Sequence, residues 1–134
     1  MESTEFWTMR GNDLLDQEKF EDSLIAYNLA LNIDPQNKRA MVGRGASLGA
    51  LGKHEEALKV FEKTLKIDPK YDVGLRNKGL SLTHLKRYRE AIAVLNRALA
   101  LNPKDDRALY YKGIVYAKMG NNRKAAYFLT DDLR

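Results

Sequence analysis

The sequence predicts an all-α fold built from four antiparallel helical hairpins. Three observations predict it. Pro35, Pro69 and Pro103 recur at a step of 34 residues, closing the phrases Leu31-Asn32-Ile33-Asp34, Leu65-Lys66-Ile67-Asp68 and Leu99-Ala100-Leu101-Asn102. Four further columns keep that step: Gly11, Gly45, Gly79 and Gly113; Leu14, Leu48, Leu82 and Tyr116; Ser23, Ala57, Ala91 and Ala125; Tyr27, Phe61, Leu95 and Leu129. Within each unit the apolar residues recur at the three- and four-residue spacing of a helix face. A period of this length marks stacked supersecondary units.

Each unit reads as two helices. First helices are expected near 4–16, 38–51, 72–85 and 106–119, and second helices near 20–33, 54–67, 88–101 and 122–132. In the second unit Met41, Leu48 and Leu51 share one face of a first helix. Ala57, Leu58, Phe61 and Leu65 share one face of the second. Gly52-Lys53 and Gly120-Asn121 break the helix pairs. Asp-Pro or Asn-Pro ends each second helix, because the residue before proline resists the helical region and proline cannot continue the ladder. Asp105 suits a helix N-cap. The small columns are expected where helices approach closely, and the large apolar column between neighbouring hairpins. One hairpin cannot bury its apolar face alone, so the units must stack. The chain therefore reads as a single domain over 1–134, with repeats near 4–37, 38–71, 72–105 and 106–134.

Trp7-Thr8-Met9-Arg10-Gly11-Asn12-Asp13-Leu14, followed by Ser23, Tyr27, Ala30 and Pro35, resembles the tetratricopeptide repeat. The resemblance covers residues 4–134. Ala30 and Ala98 keep a second small column, from which Thr64 and Asp132 depart. Ser23 replaces the usual alanine, and His54 and Asn122 depart where Phe20 and Tyr88 keep the family's aromatic. The resemblance implies a right-handed superhelix, an α-solenoid, whose first helices line a concave groove. It also implies a function: holding a peptide or helix of a partner protein in that groove.

Repeat phase then nominates the lining. The first unit offers Glu5, Thr8 and Asn12, and the second Arg39, Val42 and Ala46. The third offers Arg76, Asn77 and Leu80, and the fourth Arg107, Tyr110, Tyr111 and Ile114. Gly43, Gly45 and Gly49 share one expected helix, each costing about 1 kcal/mol against alanine. With Ala46 and Ala50 they suggest a shallow floor for a partner backbone; for Gly45, in the glycine column, close helix packing is the competing account. Tyr110 and Tyr111 suggest an aromatic wall beside Arg107 and Arg76, whose guanidinium forks suit carboxylates. The competing account makes one tyrosine core and leaves the arginines solvated.

Some members of the family grip the C-terminal carboxylate of chaperones with Lys and Asn, then Asn, then Lys and Arg on three successive first helices. In the first frame those places hold Thr8, Asn12, Gly43, Val73 and Asn77. In the second frame they hold Val42, Ala46, Asn77, Arg107 and Tyr111. Neither frame gives the clamp, so a chaperone-tail receptor of that kind is not expected.

Composition bounds the rest. The chain is 44% hydrophobic and 31% charged, with a net charge of +5. No apolar run reaches the length of a membrane span, and Met1 to Arg10 lacks the basic-then-apolar pattern of a secretory signal. A cytoplasmic protein is the default. Cysteine is absent, which removes disulfides, thiolate metal sites and Cys nucleophiles together. Residues 1–67 carry 9 Lys/Arg against 11 Asp/Glu, and residues 68–134 carry 14 against 7. The basic half is expected to favour an acidic partner. Single-stranded nucleic acid, stacked on Tyr110, Tyr111 and Tyr116, is the alternative from another class. Against it, Lys and Arg spread over both helices of each hairpin instead of forming a stripe.

No enzyme, cofactor or metal site is expected. Gly43-Arg44-Gly45-Ala46-Ser47-Leu48-Gly49 imitates a dinucleotide loop but lies inside a helix after no strand. His54 and His84 fall on different hairpins, and no serine is tied to either. Tyr127, Phe128 and Leu129 are consecutive, so they cannot all face inward, and no polar capping helix follows before Arg134. Three readings compete there: a piece of a longer protein, self-association through the terminal hairpin, or a frayed, exposed helix, with the first two favoured equally.

Overall fold

A computed structural model describes residues 2–130. Among them stand eight helices and no strand: α1 (Thr4–Asp16), α2 (Phe20–Ile33), α3 (Lys38–Ala50), α4 (His54–Ile67), α5 (Asp72–His84), α6 (Tyr88–Leu101), α7 (Asp106–Lys118) and α8 (Asn122–Leu129). The chain divides into two compact units, Met1–Pro69 and Lys70–Arg134. In the first, α1 pairs with α2 and α3 with α4, while α3 lies against both α2 and α1. In the second, α5 pairs with α6 and α7 with α8, while α7 lies against both α6 and α5. Among the described residues no helix is long and apolar enough to cross a membrane.

Local chemistry sets the helix ends. Ser3, Asn37 and Asp105 cap α1, α3 and α7, each side chain accepting from the backbone N–H three residues on. The first helices end in a left-handed residue: Glu18 at φ 60°, Gly52 at 82°, Lys86 at 62° and Gly120 at 82°. The following N–H then bonds back across the last turn, as Lys53 N does to the Leu48 carbonyl at 2.9 Å. Gly52 and Gly120 adopt this conformation without a Cβ penalty; Glu18 and Lys86 do not. The second helices end where Asp34 and Asp68 turn extended, and Asn102 leaves the helical region, before proline.

One expectation needs correction. The fourth second helix was expected to run to 132, but α8 stops at Leu129, where Thr130 turns extended. Residues 131 and 132 lie outside the described residues, and with them the departure at Asp132. The large apolar column was expected in the gap between hairpins; Tyr27 does reach Gly43 and Ala40 of the next hairpin, and each member of the column also packs on the glycine of its own hairpin. A Cβ on Gly11 would lie 2.6 Å from the Tyr27 ring, one on Gly79 2.6 Å from Leu95, and one on Gly113 2.8 Å from Leu129. Gly45 meets Phe61 in the same way.

Tyr27, Ala30 and Ala40 form a buried cluster in the first unit, with Trp7 and Leu31 packed against it. The departures from the repeat pattern are accommodated by hydrogen bonds. Ser23 is buried, with its Oγ 2.6 Å from the Ser47 Oγ, and Ser47 donates to the Gly43 carbonyl at 3.0 Å. Thr64, where the pattern asks for alanine, is buried and donates to the Val60 carbonyl at 2.8 Å.

Candidate peptide-binding surface

In the first unit, α1 and the start of α3 together line an open pocket of about 690 Å³. Its walls are Glu5, Thr8, Met9 and Asn12 from α1, with Asn37, Lys38 and Arg39 from the cap and first turn of α3. Residues 5, 8, 9 and 12 fall on one helix face, as spacing by three and four requires. Thr8, Asn12 and Arg39, nominated from repeat phase, are thus brought together. Sequence reasoning missed Met9, Asn37 and Lys38. The signal for Asn37 was present, because Ser3, Asn37 and Asp105 share one register of the repeat and all three cap helices.

The polar groups of this pocket are partly committed to the fold. Thr8 Oγ1 donates to the Thr4 carbonyl at 2.8 Å. Asn37 Oδ1 accepts from Ala40 N at 3.0 Å. Asn12 Oδ1 accepts from the Tyr27 hydroxyl at 2.6 Å. Lys38 Nζ pairs with Asp68 at 2.7 Å. Burial, with the Asp16 carboxylate adding to it, pushes the Tyr27 hydroxyl up to about 12.

The other first-unit nominations separate. Val42 is only 9% exposed and belongs to the core, because its face of α3 turns inward. Ala46 is half-buried. The shallow glycine floor is not present as expected. Gly43 is buried against the Tyr27 ring, and Gly45 against Phe61. Of the three, only Gly49 has open space around its Cβ position.

In the second unit, Arg76 is not a free guanidinium. Its Nη1 pairs with Asp105 Oδ2 at 2.9 Å, with side chains 15% and 5% exposed, and its Nε is buried without a partner. Asn77 donates to the Val73 carbonyl of its own helix at 2.8 Å. Leu80 and Ile114 are half-buried. Arg107 and Tyr110 are exposed and Tyr111 half-buried, with the two tyrosine rings 6.3 Å apart. The aromatic pair therefore exists, while the Arg76 fork beside it is engaged by Asp105. At the terminal hairpin Phe128 stacks on Tyr116 at 5.8 Å and Lys112 Nζ sits 4.7 Å from the Phe128 ring. Burial, then the charge of Lys124, lowers the Lys112 ammonium from its ordinary range.

The structure has many relatives in fold. It superposes on a thermophilic TPR protein of Thermus thermophilus with a TM-score of 0.90 and 22% identity, covering 94% of this chain and 71% of that one. The Sgt2 TPR domain of Aspergillus fumigatus gives 0.81 and 22%, covering 92% and 83%. The first TPR of Spaghetti, bound to the HSP90 peptide SRMEEVD, gives 0.80 and 19%, covering 88% and 94%. No curated protein matches the sequence. Family models do: one described as a tetratricopeptide repeat matches residues 8–72, and one described as a TPR repeat matches residues 79–120. With its 34-residue period, its hairpins and these two matches, the chain belongs to the tetratricopeptide repeat family.

Proposed function

We propose that this chain is a protein–protein interaction module that receives a segment of a partner polypeptide on the first-helix faces of its hairpins. The observation that carries this reading is the pocket between α1 and α3, open to solvent and lined by polar side chains around an exposed Met9. A methionine there offers adaptable apolar contact, and the surrounding polar groups fix orientation. The Spaghetti domain, a chain of this fold, is bound to a peptide, which supports the use of such a face for an extended segment. The partner peptide differs from a chaperone tail, because Gly43 and Val73 stand where that clamp needs side chains to grip with.

The test is selection from a displayed peptide library against the whole chain, followed by titration of the selected peptides by fluorescence polarisation. Peptides that bind the wild type and lose at least tenfold affinity for Met9→Ala or Arg39→Ala support the module. A library that yields no binder at micromolar concentration overturns it.

Exposed Met119, Tyr127 and Leu129 on the α7–α8 hairpin favour a second reading, self-association, at 45%, 48% and 38% exposure. Light scattering across a concentration series decides it: a mass that stays monomeric removes this reading.

A further inference from the structure

We infer that this chain stacks head to tail on a second copy of itself, the outer face of α1 in one copy covering the open face of α8 in the other. This rests on the self-association reading above and deepens it by naming both surfaces. The joint between α2 and α3 supplies the template. Tyr27 of α2 lies against Gly43 and Ala40, and Ser23 bonds Ser47, so α3 meets the preceding hairpin through residues 40, 43 and 47. In α7 the same register is buried at Ala108 and Val115. In α1 it holds Phe6, Met9 and Asp13, and all three are exposed, the two apolar side chains at 44% and 58%. At the other end, Leu129 and Ala125 of α8 stand in the places of Tyr27 and Ser23. Tyr27 is fully buried by its neighbours, whereas Leu129 is exposed.

Size and charge fit these two faces to each other. Between α2 and α3, a large ring meets a glycine and an alanine. A head-to-tail joint reverses the sizes: the smaller Leu129 meets Met9 and Phe6, and the total bulk across the joint is kept. Met9, with its flexible thioether chain, can fill what gap remains. Covering these exposed apolar groups takes them out of water in both copies. Charge selects which faces meet. Residues 1–35 carry 8 Asp/Glu against 2 Lys/Arg, and residues 103–134 carry 7 Lys/Arg against 4 Asp/Glu. Two heads repel each other, as do two tails, while head and tail attract. Asp13, in the place of Ser47, then approaches Ala125, whose neighbour in sequence is Lys124. An isologous pairing of two basic terminal hairpins is disfavoured, and the joint is heterologous, able to recur from copy to copy.

Light scattering on the wild type and two variants tests the joint. Met9→Lys and Leu129→Lys each bring an ammonium into the apolar contact, the first at an exposed site of α1 and the second at the end of α8, where a cation suits the helix terminus. The wild-type mass should rise with concentration and fall with added salt. Each variant alone should stay monomeric. Their equimolar mixture should give a complex of one copy of each and nothing larger, because one intact head meets one intact tail. The chain has no cysteine, so a disulfide gives a second readout without a charge in the joint. Under mild oxidation, Met9→Cys mixed with Leu129→Cys should cross-link to a heterodimer many-fold faster than either chain cross-links alone. A Met9→Lys chain that still assembles, monomeric variants whose mixture stays monomeric, or a Leu129→Cys chain that cross-links with itself as fast as with Met9→Cys overturns the head-to-tail joint while leaving self-association standing. A wild type that stays monomeric at every concentration removes the self-association reading, and this inference falls with it.

Discussion

The Tyr27 ring lies so close to the Gly43 backbone that a Cβ on residue 43 would run into it. Retreat is blocked by Gly11, where a Cβ would stand 2.6 Å from the same ring. Gly43 is therefore a packing glycine shared by two hairpins. Replacing it by alanine gains about 1 kcal/mol of helix propensity and incurs an overpacking penalty of about 1–3 kcal/mol. Gly43→Ala is expected to lower the melting temperature in thermal unfolding followed by circular dichroism. Gly49 sits in the same helix with open space around it, so Gly49→Ala should raise the melting temperature by close to the full propensity gain of about 1 kcal/mol. A stabilised Gly43→Ala would mean that the ring moves at little cost.

The left-handed residues after the first helices make a second contrast. Gly52 and Gly120 fill two of these places, whereas Glu18 and Lys86 hold φ near 60° with a Cβ in the way. That conformation costs a side chain about 1–2 kcal/mol, and glycine's extra unfolded-state freedom offsets about half of the gain. Glu18→Gly and Lys86→Gly are each expected to stabilise by about 0.5–1 kcal/mol in urea denaturation, additively, since they lie in different hairpins. No change in the midpoint from either would show that the strain is relieved by local contacts.

The helix pairs were legible because their columns repeat: prolines, glycines and the large apolar residues fix phase and boundaries. What was not legible lies where this chain departs from its own average. Periodicity places Tyr27 with Phe61, Leu95 and Leu129 as core, and three of those four have no hydroxyl with which to reach Asn12. The phase of α1 and α3 nominated Thr8, Asn12 and Arg39, and these three line one pocket. It did not nominate Asn37, which lies before the helix and is marked instead by the cap register it shares with Ser3 and Asp105. Arg76 was nominated as a groove residue, but it is engaged by Asp105, which sits 29 residues away at a helix start, a pairing no column predicts.

Ser23 and Ser47 share a buried hydrogen bond at 2.6 Å between α2 and α3. Each hydroxyl has a helix carbonyl as a second partner, so neither single alanine substitution leaves a buried donor stranded. Ser23→Ala and Ser47→Ala should each cost about 1 kcal/mol. The double substitution should cost less than their sum, with a coupling of about 0.5–1 kcal/mol read from the full cycle of denaturation midpoints. Strict additivity would mean that the two hydroxyls do not bond to each other in solution.

Asp105 carries two duties with its two oxygens. Oδ1 caps α7 at Ala108 N, 3.1 Å away, and Oδ2 holds Arg76 at 2.9 Å. Asn can keep the cap but not the charge; alanine keeps neither. Breaking a buried pair by removing one partner strands the other, at about 3–5 kcal/mol. Asp105→Ala is therefore expected to cost that much in chemical denaturation, the cap contributing about 1 kcal/mol of it. Asp105→Asn should retain the cap share only. Equal losses from the two variants would show that Arg76 contributes through its charge alone and that the cap adds nothing.

Tyr27 supplies a test at alkaline pH. Its hydroxyl is pushed up from the ordinary 10.0 to about 12 by burial and by Asp16, so the folded chain favours the protonated phenol. A raised folded value means the contribution is complete below pH 10 and is lost as pH rises towards 12. The two chains differ by this one hydroxyl, so the difference between them isolates the group. The wild type should lose melting temperature more steeply than Tyr27→Phe above pH 10, and absorbance at the phenolate band should show one fewer late-titrating tyrosine in the variant. Parallel loss in both chains, with no late phase in the wild type, would mean that the Tyr27 hydroxyl reaches water as readily as a surface tyrosine, and that its bond to Asn12 does not hold the amide in place.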